Sequence, residues 1–200
     1  MKELLFATRN NNKVREIQQI LQNRIRVLSL SDLGYTEDIP EDQDTLEGNA
    51  LFKAAFSFQK FGLDCFADDT GLEVEALNGS PGVVSARFAA MTGEVLEGED
   101  FSSANIRKLL RLLGERADRQ ARFRTVIALI QGGSEYLFEG IVTGKILKER
   151  RGMEGFGYDP VFVPDGYDRT FAQMRLEEKN LISHRALAIR KLSEFLVGTV

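Results

Sequence analysis

Between Phe66 and Arg87 the chain reads FADDTGLEVEALNGSPGVVSAR, and this stretch limits what the rest can fold into. Leu63 to Ala67 is a mostly apolar run, and Asp68 and Asp69 stand at its end, before Thr70-Gly71. Leu72, Val74 and Ala76 then alternate with Glu73 and Glu75, the period of a half-buried strand. Asn78-Gly79 is a turn signal, and Ser80-Pro81-Gly82 extends the break. The pattern predicts an apolar strand, an acidic turn, a second strand and another turn. Neighbouring carboxylates repel, and a buried charge needs a partner or a cation. Two readings stay open on these residues alone. Asp-Asp-Thr-Gly is a solvated turn, or it is a strand-end site for a divalent metal, a general base or both.

The rest of the chain supplies candidates for the second reading. Leu4 to Ala7 predicts a buried first strand. The polar turn Thr8, Arg9, Asn10, Asn11, Asn12 follows, and Lys13 opens a helical pattern with Val14, Ile17, Ile20 and Leu21 on one face. A strand, a small polar loop and a helix N-terminus make an anion site, because free N–H groups and the helix dipole both favour negative charge. The Asn residues serve equally well as helix caps. The glycines and the Gly-Lys-Ser/Thr ending of a P-loop are absent.

Arg24 to Leu30 suits a second strand, and Ser31 to Asp44 is an acidic loop containing Pro40 and Glu41. A helix starts at Thr45, with Leu51, Ala54, Ala55 and Phe58 at helical spacing and Gly62 as its stop. Phe52, Phe56, Phe58 and Phe61 are most simply core. Ser102 or Ser103 can cap a helix carrying Ile106, Leu109, Leu110 and Leu113 to Gly114. Ala121–Gln131 and Glu135–Val142, joined by Gly132-Gly133-Ser134, predict a β-hairpin, with Gly144 to Glu149 leading to a third strand or an edge. RGMEGFGYDP, at 151–160, lets a backbone approach a ligand closely and offers Phe156 and Tyr158 for stacking; the same residues suit an ordinary glycine-rich turn. Val161 to Val163 is a short strand. Lys179 and Ser183-His184-Arg185 precede a last helix capped by Ser183, with Ala188, Ile189, Leu192, Phe195 and Leu196 inward.

Composition narrows the function classes. A formal charge of −4 gives no global basic field, so a phosphate ligand needs a local cluster, a helix N-terminus or a metal. The arginines of residues 107–124 make a nucleic-acid patch conceivable, but their acidic neighbours fit a solvated face better. The single cysteine, Cys65, reads as a core thiol. No apolar run reaches membrane-spanning length and the N-terminus lacks a signal-peptide core. The expectation is one domain over residues 1–200, two-lobed and cytoplasmic, with no nucleic-acid or membrane partner.

Four stretches together carry a resemblance: ATRNNNKVREI at 7–17, FADDTGLEVEALNGSPGVVSAR at 66–87, GFGYDPVFVP at 155–164 and EEKNLISHRALA at 177–188. In order and spacing they resemble the Ham1-like, or inosine triphosphate pyrophosphatase, family, closer to its bacterial branch. The resemblance implies an α/β fold with a long, mixed, twisted sheet flanked by helices, and two lobes around a central cleft. It implies Mg²⁺-dependent hydrolysis of inosine, deoxyinosine and xanthosine triphosphates to monophosphate and pyrophosphate, by a homodimer. Carried onto this sequence, Thr8, Arg9, Asn10, Asn11, Asn12 and Lys13 would hold the triphosphate. Asp69 would activate water and, with Glu41, bind Mg²⁺, while Thr70 would contact substrate. Phe156, Gly157, Tyr158 and Asp159 would line the base pocket, and Lys179, His184 and Arg185 would contact base and phosphate. Asp68 is expected to raise the basicity of Asp69 by repulsion.

Four positions depart from the family's frequent pattern: Arg9 for Gly, Thr70 for Ser, Gly48 for Glu, and Phe88-Ala89-Ala90 for Tyr-Ala-Gly. A nucleotide-binding regulatory module or a nucleic-acid binder are the competing classes. The acidic pair with Glu41 speaks against the first, and the acidic net charge against the second.

Overall fold

The computed structural model describes residues 2–21 and 25–198. Arg24, expected to open the second strand, lies outside them. The chain alternates β1 (Lys2–Phe6), α1 (Asn11–Leu21), β2 (Ile25–Ser29), α2 (Leu46–Phe61) and β3 (Cys65–Val74), the order of a parallel α/β sheet. β1 indeed pairs in parallel with β2 (Leu4 opposite Val27) and with β3 (Leu5 opposite Cys65). Next come the two-residue β4 (Pro81–Gly82), antiparallel to β3, then α3 (Phe101–Leu113), β5 (Gln120–Gln131), β6 (Ser134–Ile146), β7 (Phe162–Pro164), α4 (Leu176–Ile182) and α5 (His184–Gly198). The sheet is mixed, in the order β2-β1-β3-β5-β6-β7 with β4 on β3, and β7 is antiparallel to β6. Among the described residues no helix is long and apolar enough to cross a membrane.

The chain divides into two compact units: Met1–Asp69 with Thr125–Gly140 and Ser183–Val200, and Thr70–Arg124 with Ile141–Ile182. Three of the boundaries fall inside β3, β5 and β6, and the fourth falls between α4 and α5. Leu4, Phe6, Ile17, Phe66, Ile127, Ile189 and Leu192 form the first core, where the rings of Phe6 and Phe66 stack at 4.6 Å. Leu72, Ile106, Leu109, Phe123, Phe162 and Phe171 form the second, with Phe123 edge-on to Phe162 at 4.7 Å.

Several expectations hold and several need correction. Thr45 caps α2, its hydroxyl accepting from the Gly48 N–H, and Gly62 stops the helix in the left-handed region at φ 66°. A Cβ at Gly48 would stand 2.9 Å from Gln43 Cβ, so this departure is a close-packing position beside the cap. Gly132 and Gly133, both at positive φ, make the two-residue β5–β6 hairpin turn. Residues 144–149 form no separate strand, because β6 itself runs on to Ile146. α3 is capped by Asp100, which accepts from the Ser103 N–H, and not by Ser102 or Ser103. The phenylalanines of α2 are not core. Phe52 is exposed, and the others are half-buried, with Phe56 and Phe61 beside Tyr35. The buried stripe is Leu46, Asn49, Ala50, Lys53, Ala54 and Ser57, in which the small Ala50, Ala54 and Ser57 let the helix lie close.

The largest correction concerns Asp68 to Gly71. No turn interrupts the chain there, since β3 runs unbroken from Cys65 to Val74, and Glu75 and Ala76 leave the expected strand for a 3₁₀ turn at Glu75–Leu77. Both faces of the strand are covered over most of its length, so the acidic pair lies within the fold rather than in solvent.

The start of α5 is fixed by a close approach. A Cβ at Gly140 of β6 would stand 2.0 Å from the His184 carbonyl oxygen and 2.7 Å from the Ala188 nitrogen. Backbone can come this near only where a side chain is missing. Gly140→Ala is therefore expected to cost about 1–3 kcal/mol, the scale of overpacking. Urea unfolding of the variant should show the loss, and an unchanged midpoint would contradict the packing described.

Candidate active site

Successive strand residues point to opposite faces, so a continuous β3 separates the two carboxylates that the sequence puts side by side. Asp68, buried, takes Lys13 Nζ on Oδ1 at 2.8 Å and Arg185 Nε on Oδ2 at 3.1 Å. Arg185 also donates through Nη1 to Glu16 of α1. Asp69 faces α2, where Asn49 Nδ2 donates to its Oδ2 at 3.0 Å. Lys53 Nζ lies among three oxygens: Glu41 Oε1 at 2.5 Å, the Asp68 carbonyl at 2.8 Å and Asp69 Oδ1 at 3.5 Å.

The electrostatics differ accordingly. Burial pushes the Asp68 carboxyl up, but Lys13, Arg185 and Lys53 outweigh it and hold it well below the usual carboxylate range. For Asp69 burial prevails. Lys53 and Lys13 oppose it, Glu41 reinforces it, and the carboxyl ends above its ordinary value. Lys53 stands nearer to Glu41 and to a backbone carbonyl, so its charge is divided. The like charge that raises Asp69 is thus Glu41, not Asp68 as expected, because Asp68 turns to the other face and is neutralised there. Glu41 is pushed up by burial and pulled down further by Lys53 and Lys13, and it finishes low. Burial lowers the Lys53 ammonium, but Asp69, Glu41 and Asp68 more than restore it, so it stays charged. Glu41 is half-buried, while its acidic neighbours Glu37, Asp38, Asp42 and Asp44 are exposed.

The loop before α1 divides its duties. Asn10 is the helix cap, its Oδ1 accepting from the N–H groups of Asn12 at 3.0 Å and Lys13 at 3.3 Å. Thr8 Oγ1 accepts from the Asn10 N–H. Arg9 is spent on the acidic loop, donating to Asp38 and to the Thr36 carbonyl. Lys13 sits in the first turn of α1, where its charge adds to the helix dipole. His184 is buried at the start of α5, and Ser183 caps that helix through the Ala186 N–H.

The second unit carries the other candidates. Thr70 is half-buried on β3. Asp159 Oδ2 accepts from the Phe156 N–H at 2.9 Å and from Lys179 Nζ at 2.7 Å, and both charged side chains are buried. Lys179, on α4, also lies 5.1 Å from the centre of the Phe156 ring. Gly155 and Gly157 take φ of 73° and 60°, which bends this turn back upon Asp159. The Tyr158 ring is core and its hydroxyl donates to the Ser85 carbonyl, so stacking on a ligand falls to the half-buried Phe156. The basic region 107–124 is largely engaged: Arg107 with Glu99, Lys108 and Arg111 with Glu94, Arg122 with Glu73, and Arg119 with three carbonyls.

The Ham1 family model matches residues 4–195. The chain belongs to the Ham1 family. It is 53% identical over 193 residues to a dITP/XTP pyrophosphatase of Flavobacterium psychrophilum, covering 96% of this chain and 98% of the relative. A dITP/XTP pyrophosphatase of Porphyromonas gingivalis is 52% identical over 198 residues, covering 98% of each. Among solved structures, the Ham1 protein of Staphylococcus aureus superposes with a TM-score of 0.85 at 38% identity, covering both chains fully. A Ham1 protein from Coxiella burnetii gives 0.86 at 35% identity, covering 99% of this chain and 100% of its own. The mixed, helix-flanked sheet implied by the sequence is therefore the Ham1 fold.

Whether this Ham1 chain can hold Mg²⁺ is a question of donors. Among the described residues no group of three or more His, Cys, Asp or Glu could hold an ion alone. Mg²⁺ characteristically takes one or two carboxylates and completes its shell with water and substrate phosphates. Glu41 and Asp69, already gathered with a carbonyl oxygen around one cationic ammonium, fit that pattern in number and kind.

Lys53, Asn49 and Glu16 were missed from the sequence. Lys53 and Asn49 share the buried stripe of α2, and a polar pair on a stripe of small residues is the signal that could have found them. The phenylalanines, although more apolar, lie outside that stripe. Glu16 stands one residue before Ile17 on α1, and nothing local marks it as buried. Its burial with Arg185 and Asp68 gives a direct check. Arg185→Met leaves two carboxylates buried without their common partner and should cost about 3–5 kcal/mol in urea unfolding. A loss below 1 kcal/mol would mean that the guanidinium is not holding them.

Proposed function

We propose that this chain hydrolyses inosine, deoxyinosine and xanthosine triphosphates to the monophosphate and pyrophosphate, with Asp69 as the base that activates water. The chain is a Ham1-family nucleoside triphosphate pyrophosphatase, and its full-length relatives bear the name dITP/XTP pyrophosphatase. One observation carries the assignment of the base. Of two adjacent buried aspartates, Asp68 is neutralised by two direct cations, while Asp69 has its proton affinity raised by burial and Glu41. A base with raised affinity for a proton is the better acceptor near neutral pH.

In the proposed reaction Asp69 takes a proton from water as the water oxygen attacks the α-phosphorus. The bond from that phosphorus to the bridging oxygen breaks, and pyrophosphate leaves. The triphosphate is strongly anionic, so the site must offset charge before water can approach. Lys13 and the N-terminus of α1 supply fixed positive charge to the phosphates. Thr8, Arg9, Asn10, Asn11 and Asn12 shape the loop that receives them, and Thr70 adds a hydroxyl. Mg²⁺, held by Glu41 and Asp69, would supply further charge neutralisation at phosphate oxygens. Lys53 holds both carboxylates in position and balances their charge. Arg185 is committed to Glu16 and Asp68, which supports a positioning role, with His184 beside it in sequence as the candidate contact.

The nucleobase is assigned to the turn from Phe156 to Asp159 with Lys179, the buried Tyr158 ring supporting the turn from behind. Phe156 offers a ring and Gly157 close backbone approach, while Asp159 and Lys179 fix the turn. A 6-oxo purine presents an acceptor where adenine presents an amine, and guanine differs from hypoxanthine and xanthine by an exocyclic 2-amino group that the site must refuse. A site that leaves a donor unpaired against the wrong base discriminates strongly. The proposed working form is a cytoplasmic homodimer of two-lobed single-domain chains.

Pyrophosphate release should be measured over ITP, XTP, dITP, ATP and GTP, with and without Mg²⁺. Turnover of the first three with Mg²⁺ is expected, and little of ATP or GTP. No turnover of any triphosphate would sink the enzyme reading, and equal turnover of ATP and ITP the selectivity. In the same assay Asp69→Asn should abolish turnover while nucleotide binding survives. Near-normal kcat in that variant would remove Asp69 as the base.

A further inference from the structure

Ser85 is buried in the second unit, in a 3₁₀ turn between β4 and α3, and its polar atoms serve β3, β4, α3 and the turn that holds Tyr158. Its Oγ accepts from the Leu72 N–H at 2.8 Å and donates to the Gly82 carbonyl at 2.5 Å. Its carbonyl oxygen accepts twice, from Tyr158 OH at 2.9 Å and from Asn105 Nδ2 at 3.1 Å. Asn105, buried on α3, also donates to the Ala86 carbonyl at 2.9 Å and accepts from the Ala89 N–H at 2.7 Å. All three groups of the Asn105 amide that point inward are thus used to hold residues 85–89.

The segments joined here are those assigned to substrate. Leu72 lies two residues beyond Thr70 on β3. Tyr158 lies between Phe156 and Asp159, and Asp159 in turn holds the Phe156 N–H and Lys179. A continuous path of hydrogen bonds therefore runs from the Thr70 strand through Ser85 to the turn that presents Phe156. Buried polar chains of this kind fix geometry because each unmade bond leaves a desolvated group without a partner.

We propose that Ser85, held by Asn105, is a positioning residue that sets the Phe156–Asp159 turn against the Thr70 segment and thereby sets base discrimination. This rests on the assignment of that turn to the base. Ser85 and Asn105 touch no substrate in this account. Their effect passes through the Tyr158 hydroxyl to the backbone of the turn.

The test compares Ser85→Ala, Tyr158→Phe and the double variant with the wild type, using ITP and GTP and recording thermal unfolding. Each single variant should lower the ITP-to-GTP ratio of kcat/KM about tenfold, the scale of one buried hydrogen bond. In Ser85→Ala the loss should come mainly through KM for ITP, with kcat changed by less than about threefold. The double variant should lose no more than the worse single variant, because both act on one path. An unchanged ratio in folded variants would overturn the proposal. Equal losses for ITP and GTP, or losses that multiply in the double variant, would do the same. If Ser85→Ala does not fold, the ratio in Tyr158→Phe decides in either direction. A wild-type enzyme that fails to prefer ITP overturns the base assignment itself, an outcome visible before any variant is made.

Discussion

Everything in the first unit turns on the side-chain alternation of one strand. Two adjacent aspartates on a turn would share solvent and a fate. On a continuous strand they face opposite ways, and their direct partners differ: Lys13 and Arg185 bond Asp68, Asn49 and Lys53 bond Asp69. Asp68 closes a chain of charge that runs Glu16, Arg185, Asp68, Lys13, joining α1, α5 and β3. Asp69 meets the small-residue stripe of α2, where Asn49 and Lys53 approach with Glu41 behind them. The separation lets one carboxylate stay structural while the other keeps an affinity for protons. Neither role is available to both at once, because a buried charge without a partner is strongly unfavourable.

Glycines and small residues govern how closely the parts can come. The N-terminus of α5 can carry Arg185 inward because Gly140 opposes it with no side chain. α2 can bring Lys53 to β3 because Ala50, Ala54 and Ser57 share its inward stripe. In the second unit Gly155 does the same for Asp159, whose Oδ2 occupies the space a Cβ would need. Packing in each case precedes chemistry: the polar contact exists only where the backbone has been let in.

Much of this was legible in the sequence. The βαβ order, the helix from Thr45 to its stop at Gly62, the hairpin around Gly132-Gly133 and the Ser183 cap all follow from local signals, and the structure has them. The four family stretches led to the right fold and family. What escaped was tertiary. Asp-Asp-Thr-Gly has turn composition, but the strand is paired on either side of it, with β1 at Cys65–Phe66 and with β4 at Leu72–Glu73, and it runs through without a break. Four phenylalanines outweighed a stripe of small and polar residues when the face of α2 was chosen by hydrophobicity alone. Glu16 and Lys53 look like surface charges until the groups they neutralise are known. Tyr158 looked like a stacking platform because sequence gives the aromatic ring but not the carbonyl that claims its hydroxyl.

The division between the two aspartates is tested most directly by urea unfolding of Asp68→Asn and Asp69→Asn side by side at pH 7. Asp68 has a lowered folded-state pKa, so its ionised form stabilises the fold above the ordinary aspartate range, and that stability is lost as pH falls through the folded value. Asp69 has a raised pKa, so the fold disfavours its charge, and stability falls as pH rises through the folded value. Asp68→Asn should therefore lose about 3–5 kcal/mol, as expected for breaking a buried ion pair. Asp69→Asn should be as stable as the wild type or more so. Equal losses, or a larger loss at Asp69, would contradict the account.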